Sequence, residues 1–537
     1  MQNNTRYVLI ITTLILGSFG LGLGIFYNFE PKSINPIVFL PYISEEQLSL
    51  DTPFSSNLPI IIINTYGQSI PDEPKIIANI IIIHNESAER NFITDSPVDY
   101  GITDYNGTIG IEKRGYTSQR LYPKKNYGFE TRNKNDPIED IDVPLLGFPA
   151  EEDWILHGPY SDKTLMRNFL AYNLSNQIDC YASRTKFVEL FINSSGGALE
   201  GQYKGIYLFV EKIKRDEYRV NITELNSTHT TYPDITGGYI LKFDNLDPND
   251  GYFYTNRGTR IIYVYPNAED MEDRPDQRSW IQNYINDFET ALYGPNFTDP
   301  VEGYAKYIDV NSFVDYLILI ELLKNPGAYT VSAYFHKDRN GKLVMGPIWD
   351  YNIAMGNGDH NIKDWVFRNR GFWFRRLLED DNFVNNVTNR WNELRAGIIS
   401  IQNITSLINN TASLLNESQI RNFQKWSVLG RWIWPNTPPD YPKTYWGEIE
   451  NLIDWFEDRI NFIDNHISEI GDVRPITRIK LNLIYLFPRN YDITWFVILI
   501  ISIIIAGIAT LYISIKTNPK INSKNYNKRI FKEKNDH

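Results

Sequence analysis

Two long apolar runs without a charged residue stand near the ends of the chain and constrain it more than anything between them. Tyr7 to Tyr27 reads YVLIITTLILGSFGLGLGIFY, and Ile493 to Ile515 reads ITWFVILIISIIIAGIATLYISI. A helix needs roughly 20 such residues to cross the hydrocarbon of a bilayer, so both runs are long enough to span. Trp495 and Tyr512 stand near the ends of the second as interfacial aromatics, and Lys516, Lys520, Lys524, Lys528 and Arg529 follow it. That bias places the tail 516–537 in the cytoplasm. The first run, with Arg6 ahead of it, reads as an anchor or a signal peptide over 1–29. Either way the expectation is a protein of the cell membrane whose large middle part is extracytoplasmic, and N-x-S/T sequons such as Asn193 and Asn403 suit a glycoprotein.

Composition narrows what the middle part does. A net charge of −12 over 537 residues argues against a nucleic-acid partner, because a phosphate-binding surface needs a basic excess. Cys180 is the single cysteine, which excludes an internal disulfide framework and a cysteine zinc site, and the seven histidines show no HExxH spacing. Any metal is therefore expected on oxygen ligands.

Along the chain, 30–57 reads as a linker. The domain over 58–470 divides into a β-rich part (58–135), a mixed part (136–275) and a mainly helical part (276–470), with a juxtamembrane segment at 471–492. The runs IIIIN (60–64), IIANIIII (76–83) and TIGIEKRG (108–115) are strands by their β-branched content. The spacing of Leu165, Phe169, Tyr172 and Leu174 predicts an amphipathic helix over 164–178, capped by Ser161 or Asp162. TKFVELFIN and GIYLFVEKI form a hairpin, GGYILKFD and TRIIYVYP extend the sheet, and YFHKDRNGKLVMGPIWDYN (334–352) is two strands around Arg339-Asn340-Gly341. Mixed sheet followed by helices gives an α+β layout of two lobes.

The chemistry concentrates in GPIWDYNIAMGNGD (346–359), where Asp350 ends an apolar strand and Asn352 follows two residues later. Hard cations take oxygen ligands from one or two carboxylates together with substrate phosphates, so this pair reads either as a metal half-site or as a simple chain turn. The bases Arg114, Arg120, Lys124 and Lys125 flank a turn, and Arg167 lies on the predicted helix. They read as phosphate ligands or as a solvated face. Glu211 is an acid on an otherwise apolar strand, which an edge position also explains. No GxGxxG, P-loop, HRD or DFG string is present.

Five strings in order, IGIEKRGYTSQRLYPKKNYGFETR, DWILHGPYSDKTLMRNFLAYNLSNQI, GQYKGIYLFVEKIKRD, GGYILKFDN and YFHKDRNGKLVMGPIWDYNIAMGN, resemble the CotH family of atypical, spore-coat-type protein kinases over about 58–400. The resemblance implies a remote protein-kinase-like two-lobed domain, here between two transmembrane helices. It also implies binding of ATP with Mg²⁺ or Mn²⁺ and transfer of the γ-phosphoryl group to Ser or Thr of a cell-surface or envelope protein. By analogy Lys124 or Lys125 and Arg167 cradle phosphates, with Glu211 in support, and Asp350 is the catalytic, metal-holding acid with Asn352 beside it.

Departures from the family pattern are as informative. Where the family carries Asn-x-Asp some two dozen residues before the Trp-Asp pair, this chain has Asn325-Pro326-Gly327. The Asn often found five residues further falls at Ser332, and the second acid of a typical WDxD ending is Asn352. Asp338, Asp359 and Asp364 are the nearby acids that would have to substitute. Three functions compete on this reading: an extracytoplasmic kinase of weakened activity, a non-catalytic pseudokinase module for adhesion or envelope assembly, and a carbohydrate- or wall-binding surface built on the many Trp and Tyr.

Overall fold

The computed structural model describes residues 53–472, apart from 87–88, 95–102, 195–198, 200 and 438–440. Seven strands close into a barrel: β1 (Ile60–Asn64), β2 (Ile76–Ile83), β3 (Thr103–Arg114), β4 (Asn126–Arg132), β5 (Asp153–His157), β6 (Thr185–Asn193) and β7 (Tyr203–Glu211). Their order is β1-β2-β3-β4-β5-β7-β6. Neighbours are antiparallel except at the closure, where β6 runs parallel to β1 with Ile60 opposite Glu189 and Asn64 opposite Asn193. Runs of β-branched isoleucine suit strands packed closely against neighbours, and β4 alternates buried and half-buried residues as one wall of a barrel should. The interior is packed with side chains, among them Ile63, Ile80, Ile109, Leu190 and Trp154, whose ring stacks on Phe209 at 4.9 Å. Closure leaves the sheet no open edge.

A second sheet follows, of β8 (Tyr239–Phe243), β9 (Tyr252–Tyr254), β10 (Arg260–Tyr265), β11 (Ala333–Lys337) and β12 (Leu343–Ile348) in the order β9-β10-β8-β11-β12. β11 and β12 form the expected hairpin, with Asn340 in the left-handed region at its turn. Helices Pro275–Tyr293, Val310–Leu323, Asp381–Arg395, Ile401–Leu414 and Tyr445–His466 share one core with this sheet. Helix Arg167–Gln177 is buried around most of its circumference, Leu170, Ala171, Tyr172, Leu174 and even Arg167 and Asn168 included. The expected amphipathic face is absent because this helix contributes to the same core and has little solvent side.

The α+β class stands, but the expected architecture is corrected. The strand-rich region is a closed seven-stranded barrel, and the strands over 239–265 belong to a separate sheet and do not extend it. The expected placement between two transmembrane helices finds no support: among the described residues no helix is long and apolar enough to cross a membrane. The most apolar, Val310–Leu323, has 14 residues, short of the roughly 20 a crossing needs. The runs 7–27 and 493–515 lie outside the described residues.

Candidate functional site

The β11–β12 hairpin ends on Ile348, and two residues later Asp350 sits in the left-handed region at φ 60°. A non-glycine residue there costs of order 1 kcal/mol or more and persists only where its surroundings hold it. They do so from three sides. The Asp350 N–H donates to the Tyr172 hydroxyl at 3.1 Å, Asn325 Nδ2 donates to the Asp350 carbonyl at 3.0 Å, and the Tyr351 N–H donates to Asn168 Oδ1 at 2.7 Å. The rings of Tyr172 and Trp349 stack with centroids 5.8 Å apart.

This arrangement aims the Asp350 carboxyl into a cleft toward Arg114, the last residue of β3, whose guanidinium lies 5.9 Å from the centroid of the Trp349 ring. Asp350 is exposed as a residue, yet protein crowds its carboxyl. That loss of hydration pushes its pKa up to about 6, with Arg114 pulling down and the carboxylate of Asp244 pushing further up. Asp244 directly follows β8, and burial raises its pKa too, against Lys242 and the N–H groups of Asn245 and Ser332. Asp350 thus sits between an attractive charge, Arg114, and a repelling one, Asp244. Tyr334 on β11 feels the same groups, and its hydroxyl is pushed up by burial and by Asp244.

Residues 324–332 link the two acids. Lys324 leaves its helix in the left-handed region and pairs with Asp359 at 2.6 Å. Asn325 Oδ1 accepts the Gly327 N–H at 3.1 Å, while the Tyr316 hydroxyl donates to the Ala328 carbonyl at 2.6 Å. Tyr329 donates to Glu321 Oε1 at 2.9 Å, and Glu321 also accepts the Val366 and Phe367 N–H groups, each at 2.8 Å. Burial pushes the Glu321 carboxyl up, and Arg459, fully buried against it, opposes that shift. The segment is thereby fixed at both ends and in its middle.

The other expected site residues lie elsewhere or are already engaged. Lys124 is buried, its Nζ donating to the Ile206 carbonyl at 2.6 Å and to Asn422 Oδ1 at 2.8 Å. Lys125 Nζ donates to the carbonyls of Gln119 and Tyr122, each at 2.6 Å. Arg167 is buried in an ion pair with Asp162 at 2.5 Å, and its Nε and Nη2 reach the Met355 carbonyl at 3.4 and 3.3 Å. Glu211 is fully buried between Arg184 at 2.8 Å and Arg219 at 3.2 Å. Arg120 stacks over Tyr116. Of the potential substitutes for the missing acid, Asp338 accepts the Thr223 and Arg339 N–H groups, Asp359 answers Lys324, and Asp364 accepts the Trp365 N–H.

Asn352 is different. Its Oδ1 is buried and has no hydrogen-bond partner among the described residues, an expensive state for a polar oxygen unless a donor or a cation completes it. Asn352 Oδ1 is thus an oxygen in want of a partner two residues from Asp350 in the chain, and hard cations take such oxygens together with carboxylates, waters and phosphate oxygens. A tighter trio of acids, Asp142, Glu151 and Glu152, lies on the barrel, where Lys214 meets Glu151 and Glu152 at 2.5 Å each.

Sequence reasoning passed over Asp244, although it carries the same signal as Asp350, an acid directly after an apolar strand. It also gave Arg114 no special place among four neighbouring bases. No curated protein matches the chain significantly. The family model for CotH kinase protein matches residues 111–463, a span that holds Arg114, Asp244, Asn325, Asp350 and Asn352, and the chain belongs to that family.

Proposed function

We propose that the cleft binds ATP together with Mg²⁺ or Mn²⁺ and transfers the γ-phosphoryl group to a Ser or Thr hydroxyl of a cell-surface or envelope protein, slowly, for want of an acid at Gly327. The observation that carries this reading is the Asp350 carboxyl, held by its surroundings in the left-handed region within electrostatic reach of Arg114, with the unanswered Asn352 Oδ1 two residues on. Asp350 and Asn352 would hold the cation, which when bound neutralises charge on phosphate oxygens. Arg114 supplies a fork of N–H donors matched to phosphate geometry. Asp244 opposes Asp350 electrostatically, so a cation brought in with the nucleotide would relieve the repulsion between the two acids.

A residue at position 327 with a carboxylate would orient the acceptor hydroxyl and take its proton. Glycine does neither, and such a loss costs on the order of 10² to 10⁴ in rate. This is the observation favouring the second reading, a pseudokinase that retains nucleotide binding and serves adhesion or envelope assembly. Calorimetric titration of the full chain with ATP and Mg²⁺, alongside transfer of labelled phosphate to a mixed acceptor, separates the two. Metal-dependent binding lost in Asp350→Ala, with slow transfer, supports the kinase reading; binding without any transfer supports the pseudokinase; no binding at millimolar ATP defeats both.

A further inference from the structure

We propose that a cavity of about 390 Å³ beneath the β11–β12 hairpin is a second binding site, built for a small organic amine with an apolar body. Neither Arg114, Asp244 nor Asp350 borders it, so it is distinct from the cleft. Cavities of a few hundred Å³ with an apolar lining and a few placed polar groups are the usual form of small-molecule sites. Here Leu319, Val344 and Ile348 supply apolar wall.

The charged lining is acidic in balance, three carboxylates against the guanidinium of Arg219. Asp179, Asp309 and Asp315 line the cavity. Asp309 uses one oxygen on the Ser312 N–H at 2.8 Å and keeps its second, whereas Asp315 uses one on Arg390 Nε at 2.8 Å and the other on Cys180 Sγ at 3.7 Å. His336 Nδ1 lies 3.2 Å from the Gly346 carbonyl, which assigns the hydrogen to Nδ1 and leaves Nε2 an acceptor. Burial lowers the pKa of His336 and keeps it neutral. The cation bordering the cavity, Arg219, already answers Asp216 at 3.1 Å and Glu211 at 3.2 Å. Arg219 Nε and the Tyr181 hydroxyl remain unanswered at the lining, while the carboxylates of Asp179 and Asp309 favour a ligand that brings positive charge and covers apolar wall with the rest of its surface.

Tryptamine is a suitable probe, and N-acetyltryptamine keeps the ring while losing the charge. By calorimetry on the full chain, tryptamine is expected to bind, and the acetylated compound at least roughly tenfold more weakly, equivalent to about 1.4 kcal/mol. Val344→Trp, which fills the cavity, should abolish binding. Asn311→Arg, an exposed change at the cavity lining, should weaken it while leaving the melting temperature of the ligand-free protein unchanged. No binding of tryptamine at millimolar concentration, equal binding of the two compounds, or binding that survives both substitutions would overturn the assignment.

Discussion

The hydroxyl of Tyr172 accepts the backbone N–H of Asp350 at 3.1 Å, joining a helix of the core to the turn that carries the candidate metal-binding acid. Because Asp350 is held at φ 60°, the bond restrains a conformation the residue would not choose by itself. Tyr172→Phe keeps the ring stacked on Trp349 and removes only the acceptor. A lost hydrogen bond of this kind is worth about 1 kcal/mol. The expected outcome is a melting temperature lower by a few degrees at most and Mn²⁺ affinity reduced several-fold. An unchanged affinity, measured by paramagnetic relaxation of water protons, would show that Tyr172 has no part in positioning Asp350.

Asp350 also sets a pH dependence. Its carboxyl titrates at about 6 when folded, against roughly 3.9 in an unfolded chain. Between those values the folded state binds more protons, so the contribution to stability is complete below the lower value and is lost as pH rises through about 6. Asp350→Asn should therefore stabilise the protein more at about pH 7.5 than at about pH 4, by about 1 kcal/mol once solvent screening of this exposed residue is allowed for. Metal binding runs the other way, weakening as pH falls through about 6 because the ligand must be ionised. Asp244→Asn removes the charge that helps raise Asp350, and the midpoint for Mn²⁺ binding should move to lower pH. A midpoint unmoved by that substitution would separate the two acids.

What the chain discloses locally differs from what it discloses at long range. The isoleucine runs at 60–64 and 76–83 are strands as their composition requires, and the hairpin around Asn340 follows from its turn residues. Barrel closure is a pairing of Ile60 with Glu189, and no periodicity within either strand specifies a partner so distant. Lys124 and Lys125 look alike in sequence, two bases beside a turn. What separates them is the neighbourhood of Lys124, built by Ile206 and Asn422 from elsewhere in the chain. Asp244 is the opposite case. Its signal was local and identical in kind to that of Asp350, and only its distance from the Trp-Asp pair in sequence concealed it.

The burial of Lys124 gives a third expectation. Its ammonium answers the Ile206 carbonyl and Asn422 Oδ1, tying helix Asn416–Lys425 to β7. Burial also pulls its pKa well down, as expected for a cation with few compensating charges. Lys124→Met retains most of the stem and removes both bonds, leaving Asn422 Oδ1 with the Ile206 N–H alone at 3.2 Å, which costs about 1–3 kcal/mol. The melting temperature should fall clearly while the affinity of the remaining folded protein for ATP stays within about twofold. A large loss of ATP affinity at temperatures where the variant is folded would return Lys124 to the list of phosphate ligands.

Gly327 offers the most direct gain-of-function test. A Cβ placed there would meet the Val331 Cβ at 3.7 Å and Asn325 Oδ1 at 3.8 Å, both ordinary contacts, and nothing closer. The position is half-buried, and its N–H is already held by Asn325, so an aspartate can be introduced without moving the backbone. Stability should therefore change by less than about 1 kcal/mol, the usual range for a surface or half-buried change that neither clashes nor strands a polar group. If the cleft performs phosphoryl transfer and lacks only its proton acceptor, Gly327→Asp should raise the transfer rate by on the order of 10² or more, with ATP affinity nearly constant. The increase should disappear in the double variant with Asp350→Ala, because the restored base acts only on a correctly held nucleotide. A Gly327→Asp protein that binds ATP as tightly as the parent and transfers no phosphate would mean that the cleft departs from a kinase site at more than this one position.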